Sequence, residues 1–122
     1  MKREPVIAVV DDDESFRIAL VDSLFFLGYD ALGFASAGDF IAEDGDQSCD
    51  YVVTDIHMTG MSGFDLKQLL TSRGSTKPFI MITARAEPTL ETKAIACGAI
   101  CLLRKPFETE ALIDYLEGAS KF

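Results

Sequence analysis

A chain of 122 residues, 48% of them hydrophobic and nine of them phenylalanine, is long enough for one buried core and too short for two. That excludes a two-domain machine, and a mean hydropathy slightly above zero excludes intrinsic disorder. With 20 acidic against 11 basic side chains, the net charge of −9 repels phosphate backbones and anionic lipid, so the expected partner is a cation or a protein, with no direct nucleic-acid or membrane contact.

In chain order, Val6-Ile7-Ala8-Val9-Val10 is an unbroken apolar run, as expected of a strand covered on both faces. After Asp11 to Glu14, Phe16, Ala19, Leu20, Ser23, Leu24 and Leu27 recur at helical spacing, and Gly28 stands where a left-handed stop costs little. Residues 29–35 read as a more polar strand nearer an edge. Ser36 with Asp39 three positions on reads as the cap of a short helix reaching about Ala42, and 43–48 as a solvated loop. Tyr51 to Thr54 form the third strand with Asp55 at its end. The loop 57–63 then holds Gly60 and Gly63 and leads into a third helix through Phe64, Leu66, Leu69 and Leu70.

Residues 78–83 read as the fourth strand, entered through Pro78, which needs no ladder donor there. A fourth helix runs from Pro88 to Cys97 and closes at Gly98. The fifth strand is expected over 99–103, followed by Lys105-Pro106-Phe107 and a last helix to about Glu117. Five strand–helix pairs define an α/β fold: a doubly wound five-stranded parallel sheet with helices on both faces, a single domain over 1–122. No apolar run approaches the roughly 18–20 residues of a membrane span. Met1-Lys2-Arg3-Glu4-Pro5 lacks the apolar stretch of a signal peptide, so a cytoplasmic location is expected. Cys49, Cys97 and Cys101, odd in number and without paired ligand spacing, are expected to be packing residues rather than disulfide or zinc ligands.

Ligands of open α/β sheets bind outside the carboxyl ends of the strands. There the first strand delivers Asp11 and Asp12, the third Asp55, the fourth Thr83 and the fifth Lys105. Singly, each has a plainer role: a helix cap, a turn former, a strand-end hydroxyl, a solvated lysine. Together they place three carboxylates, a hydroxyl and an ammonium on one rim. Two carboxylates 4 Å apart repel by about 4 kcal/mol at an effective dielectric of 20, so such a cluster calls for a positive partner beyond Lys105. An all-oxygen donor set without paired His or Cys points to Mg²⁺. A metal beside an ammonium and a hydroxyl suits a phosphoryl group, and an aspartate can carry that group as a mixed anhydride. Asp55, single and followed by a glycine-containing loop, is the better nucleophile, leaving Asp11 and Asp12 for the metal.

These residues resemble the receiver domain of bacterial two-component response regulators, most closely the FixJ type of transcriptional regulator. The resemblance spans Val6 to about Ala119. It rests on Val9-Val10-Asp11-Asp12-Asp13-Glu14, Val53-Thr54-Asp55-Ile56-His57-Met58 through Gly63, Met81-Ile82-Thr83-Ala84, and Gly98-Ala99 with Lys105-Pro106-Phe107. Phe34-Ala35-Ser36-Ala37 with Phe40 is similar to the stretch after the second strand of FixJ-like receivers. The resemblance implies a flavodoxin-like strand order 2-1-3-4-5, Asp55 as phosphoryl acceptor, Asp12 and Asp55 as direct Mg²⁺ ligands, Asp11 as a ligand through water, and the His57 main-chain carbonyl as a further ligand. It also implies Thr83 as the switch hydroxyl, Lys105 as the cation that pairs with the phosphoryl group, and a cis Lys105–Pro106 bond. Implied partners are a sensor histidine kinase and, after phosphorylation, a second copy of the chain through the face of the fourth helix and fifth strand. FixJ-like regulators continue into a helix-turn-helix domain where this chain stops at Phe122, so either a piece of a longer regulator or a stand-alone receiver is expected.

Two positions depart from the family pattern and two more bear on the phosphoryl lifetime. Thr59 replaces a usual proline, and Leu102 replaces the aromatic residue whose rotamer follows the switch hydroxyl. His57 and Arg85 occupy the two positions that tend to tune hydrolysis of the acyl phosphate. Two other readings stand at this level: a haloacid-dehalogenase-like phosphatase with Asp11 as nucleophile in Asp11-x-Asp13, and a pseudo-receiver that binds its partner without phosphorylation.

Overall fold

The computed structural model describes residues 5–120. Along them run β1 (Val6–Val10), α1 (Glu14–Phe26), β2 (Asp30–Phe34), α2 (Ala37–Ala42), α3 (Gly45–Ser48), β3 (Tyr51–Asp55), α4 (Gly63–Ser72), β4 (Phe79–Thr83), α5 (Pro88–Ala96), β5 (Leu102–Arg104) and α6 (Thr109–Ser120). The strands form one parallel sheet in the order β2-β1-β3-β4-β5, as expected.

The unbroken apolar runs follow from burial on both faces. Ile7 and Val9 of β1 pack in a layer with Leu20 and Leu24 of α1 and Leu112 and Leu116 of α6. Ala8 and Val10 face the other way, into a layer with Phe40 of α2, Leu66 and Leu70 of α4, and Leu90 and Ala94 of α5. Strand β2 sits at an edge, which accounts for its more polar sequence.

Short-range side-chain caps start α1, α2 and α4. The Asp13 side chain accepts from Phe16 N–H at 3.1 Å to start α1, and Ser36 Oγ accepts from Asp39 N–H at 3.0 Å to start α2. Ser62 and Asp65 form a reciprocal capping box at the start of α4, a Ser-x-x-Asp signal that the periodicity reading passed over.

Two sequence expectations are corrected. Residues 45–48 are a helical turn, α3, rather than a solvated loop, because Gly45 is buried against the Phe40 ring and pulls the segment onto the core. The fifth strand begins at Leu102 instead of residue 99. Residues 99–101 reach β4 through only two bonds, Ile100 N–H to Phe79 O at 2.8 Å and Met81 N–H to Cys101 O at 3.2 Å. Ala99 and Cys101 are buried as the chain crosses back to the sheet, so they read as strand, whereas polar Arg104 lies in the strand because β5 is an edge.

Candidate functional site

The strand order reverses at β1, whose neighbours are β2 and β3, and the crevice at the carboxyl ends of β1 and β3 holds the polar cluster. Asp11 follows β1 and is fully buried; its Oδ1 accepts from Asp13 N–H at 2.9 Å. Asp55 ends β3 and is 7% exposed; its Oδ1 accepts from His57 N–H at 3.2 Å. Lys105 lies between them. Its Nζ is 2.7 Å from Asp11 Oδ2 and donates to Asp55 Oδ2 at 3.2 Å. The Lys105 main-chain N–H donates to Thr83 O at 2.7 Å, the Lys105–Pro106 peptide is cis, and Nζ stands 4.2 Å from the Phe16 ring centre. Asp12 is exposed, and its Oδ2 accepts from Thr59 N–H at 3.3 Å. Asp11, Asp12 and Asp55 each offer an oxygen within 4.8 Å of the others.

Burial is the main force raising the Asp11 carboxyl above its ordinary range; the Lys105 and Asp13 donors oppose it, and the Asp55 charge adds to it. Burial also pulls on Lys105 in the direction of losing its proton, yet its pairing with Asp11 and Asp55 outweighs that, and the ammonium holds its proton more tightly than usual. One ammonium against three carboxylates leaves the cluster net negative. The buried Asp11 Oδ2 has the Lys105 ammonium at 2.7 Å, which it shares with Asp55, and no other partner among the described residues. An all-oxygen, net-negative cluster with such an oxygen fits a hard divalent cation.

The other expected residues surround this cluster. Thr83 ends β4, 1% exposed, with Oγ1 accepting from Arg85 N–H at 3.0 Å. Half-buried His57 and exposed Arg85 line a groove of about 680 Å³ together with Asp12, and Arg85 pairs with Glu87 at 3.6 Å. The His57 ring is outside the carboxylate cluster, and its buried Nε2 has no hydrogen-bond partner among the described residues. Leu102 pairs with Met81 in register and lines a second groove, about 280 Å³, that reaches Thr83 and Arg104. Asp13 is spent on the α1 cap and exposed, so Asp11-x-Asp13 does not form the paired carboxylate site of the phosphatase reading.

Two charged residues escaped the sequence reading. Arg17 donates from Nη1 to the Asp11 carbonyl at 2.7 Å. Lys67 is 9% exposed in α4, bonded to Thr71 Oγ1 at 3.1 Å and 5.6 Å from the Phe79 ring centre. In sequence each is a single cation within a helix of mixed apolar and polar residues and looks like a solvated side chain.

Residues 7–117 match the family described as response regulator receiver domain, and the chain belongs to that family of signalling domains. It is 34% identical over 119 residues to the response regulator protein TmoT of Ectopseudomonas mendocina, covering 98% of this chain and 54% of that protein. It is 36% identical over 113 residues to the transcriptional regulatory protein TdiR of Thauera aromatica, with 91% of this chain and 49% of that protein covered. To the transcriptional regulatory protein FixJ of Rhizobium meliloti it is 33% identical over 113 residues, covering 93% and 55%. The chain thus spans about half the length of these regulators. Among solved structures it superimposes on FixJ-N with a TM-score of 0.88 at 31% identity, covering 98% of this chain and 96% of that one. Among the described residues no helix is long and apolar enough to cross a membrane.

Proposed function

We propose that this domain accepts a phosphoryl group from a sensor histidine kinase onto Asp55, with Mg²⁺, and that the resulting anhydride switches the α5–β5 face to control a transcriptional output. The observation that carries the reading is the convergence of Asp11, Asp12 and Asp55 within 4.8 Å around a lysine that contacts two of them. Asp12 and Asp55 would hold the cation directly, Asp11 through water, with the His57 carbonyl as a further ligand. When bound, Mg²⁺ supplies charge neutralisation for the carboxylates and the incoming phosphoryl oxygens.

An Asp55 oxygen forms the new bond to phosphorus as the phosphorus–nitrogen bond to the kinase imidazole breaks, and the nitrogen leaves with the electron pair. Lys105 exchanges its Asp55 contact for a phosphoryl oxygen. The Thr83 hydroxyl, an acceptor from Arg85 N–H, turns to donate to the phosphoryl group and takes the 83–85 segment with it. That movement biases a two-state equilibrium of α5 and β5, the face through which two copies pair. His57 and Arg85, at the mouth, set the rate of hydrolysis. The setting is cytoplasmic, and the domain serves either as the receiver of a longer transcriptional regulator or as a stand-alone receiver.

Incubation with acetyl phosphate and Mg²⁺ should add about 80 Da, the mass of one phosphoryl group, and Asp55→Asn should abolish the gain. Absence of a gain in the wild-type domain overturns the assignment.

A further inference from the structure

The Asp11 carbonyl lies one residue past β1, whose last member is Val10, while the Asp11 N–H still pairs with Phe34 O at 3.0 Å. That carbonyl accepts from Arg17 Nη1 at 2.7 Å. Arg17 stands in α1, and its side chain reaches the strand end across β2 at Gly33. A Cβ on Gly33 would lie 3.3 Å from both Cγ and Cδ of Arg17, tight enough to displace the stem. The peptide group joining Asp11 to Asp12 is therefore gripped through its oxygen by a guanidinium that is itself laid against a bare stretch of strand. Asp13 N–H on Asp11 Oδ1 braces the same turn from the far side. Both acids are carried by the two Cα atoms that this peptide joins, so a shift of the peptide as a whole moves the base from which both carboxylates project.

We infer that Arg17, laid over Gly33, is a positioning residue that aims the Asp11 and Asp12 carboxylates at a divalent cation. The inference rests on the reading of the acidic cluster as a cation site. Its direction of effect separates aim from charge: deleting a nearby positive side chain tightens cation binding on Coulomb grounds alone, whereas loss of aim weakens it. Partners of metal ligands typically contribute 10- to 100-fold in affinity.

Mn²⁺ titration followed by the electron paramagnetic resonance of the free ion tests this on the wild-type domain, Arg17→Ala, Arg17→Lys, Gly33→Ala and Asp12→Asn, with the metal-free urea midpoint measured alongside. Arg17→Ala should bind about tenfold more weakly, Arg17→Lys should recover part of the loss, and Gly33→Ala should fall in between. Unchanged or tighter binding in Arg17→Ala overturns the inference, including when its urea midpoint drops. Should Arg17→Ala fail to fold, wild-type affinity in both Arg17→Lys and Gly33→Ala overturns it instead. A wild-type domain that does not bind Mn²⁺, or that Asp12→Asn matches, sinks the cation-site reading itself.

Discussion

The Lys105 ammonium stands 2.7 Å from one buried carboxylate and 3.2 Å from another, and removing it leaves like charges facing each other. Lys105→Met should destabilise the metal-free domain by about 3 kcal/mol at neutral pH, read from urea unfolding. The pH dependence follows from Asp11, whose carboxyl is already held above its ordinary 3.8 by burial and loses in this variant the lysine contact that lowers it. The folded state then binds a proton more tightly than the unfolded state, so stability falls as pH rises through that window. The deficit should shrink as the solution is acidified toward pH 4, and a deficit independent of pH would assign the lysine a packing role only. Burial pushes the Cys49 and Cys101 thiols up to about 11 and raises the Cys97 thiol as well, but Cys97 is only half-buried and so more accessible than the other two. At pH 8, Cys97 should react first with a thiol reagent and the other two only on unfolding.

At the scale of elements, the end of β3 is held against the start of α4 by close backbone approach. A Cβ on Gly63 would stand 2.7 Å from the Asp55 carbonyl and 3.1 Å from Ile56 Cα, neither of which can swing aside, while Gly63 N–H donates to Ile56 O at 3.0 Å. Gly63→Ala should cost about 1–3 kcal/mol and slow phosphorylation by acetyl phosphate, because the backbone that yields carries Asp55. Ser62→Ala, which removes half of the capping box, should cost about 1 kcal/mol and leave the phosphorylation rate near wild type. Equal effects of the two on the rate would mean that α4 as a whole, rather than the approach at Gly63, sets the position of Asp55.

Across the whole molecule, the cation links folding to the site. The reading predicts that Mg²⁺ at ten times its dissociation constant adds about 1.4 kcal/mol, raising the thermal midpoint by roughly 3–6 °C. Asp12→Asn should lose that rise. Beryllofluoride, a phosphoryl mimic, should shift sedimentation toward the dimer in wild type and not in Asp55→Asn. Leu102, where the resemblance to response-regulator receivers implies an aromatic ring, lines an open groove that reaches Thr83. A beryllofluoride response retained with Leu102 in place means that the groove lining can change state without a rotating ring.

The sequence by itself determined the strands, the parallel sheet and the identity of the polar rim. Apolar runs without alternation require cover on both faces, and the residues at their carboxyl ends are then forced to one side of the sheet. It also revealed the N-cap at Ser36, because a cap acts within three residues. Tertiary structure decided what depends on distant partners. The turn at 45–48 forms because Phe40 is there to bury Gly45, and β5 starts late because the chain must first cross back from α5. The role of Arg17 exists only because folding lays β2, bare at Gly33, beneath its side chain. A guanidinium and a strand-end carbonyl six residues apart carry no mark in the sequence of the sheet edge that brings them together.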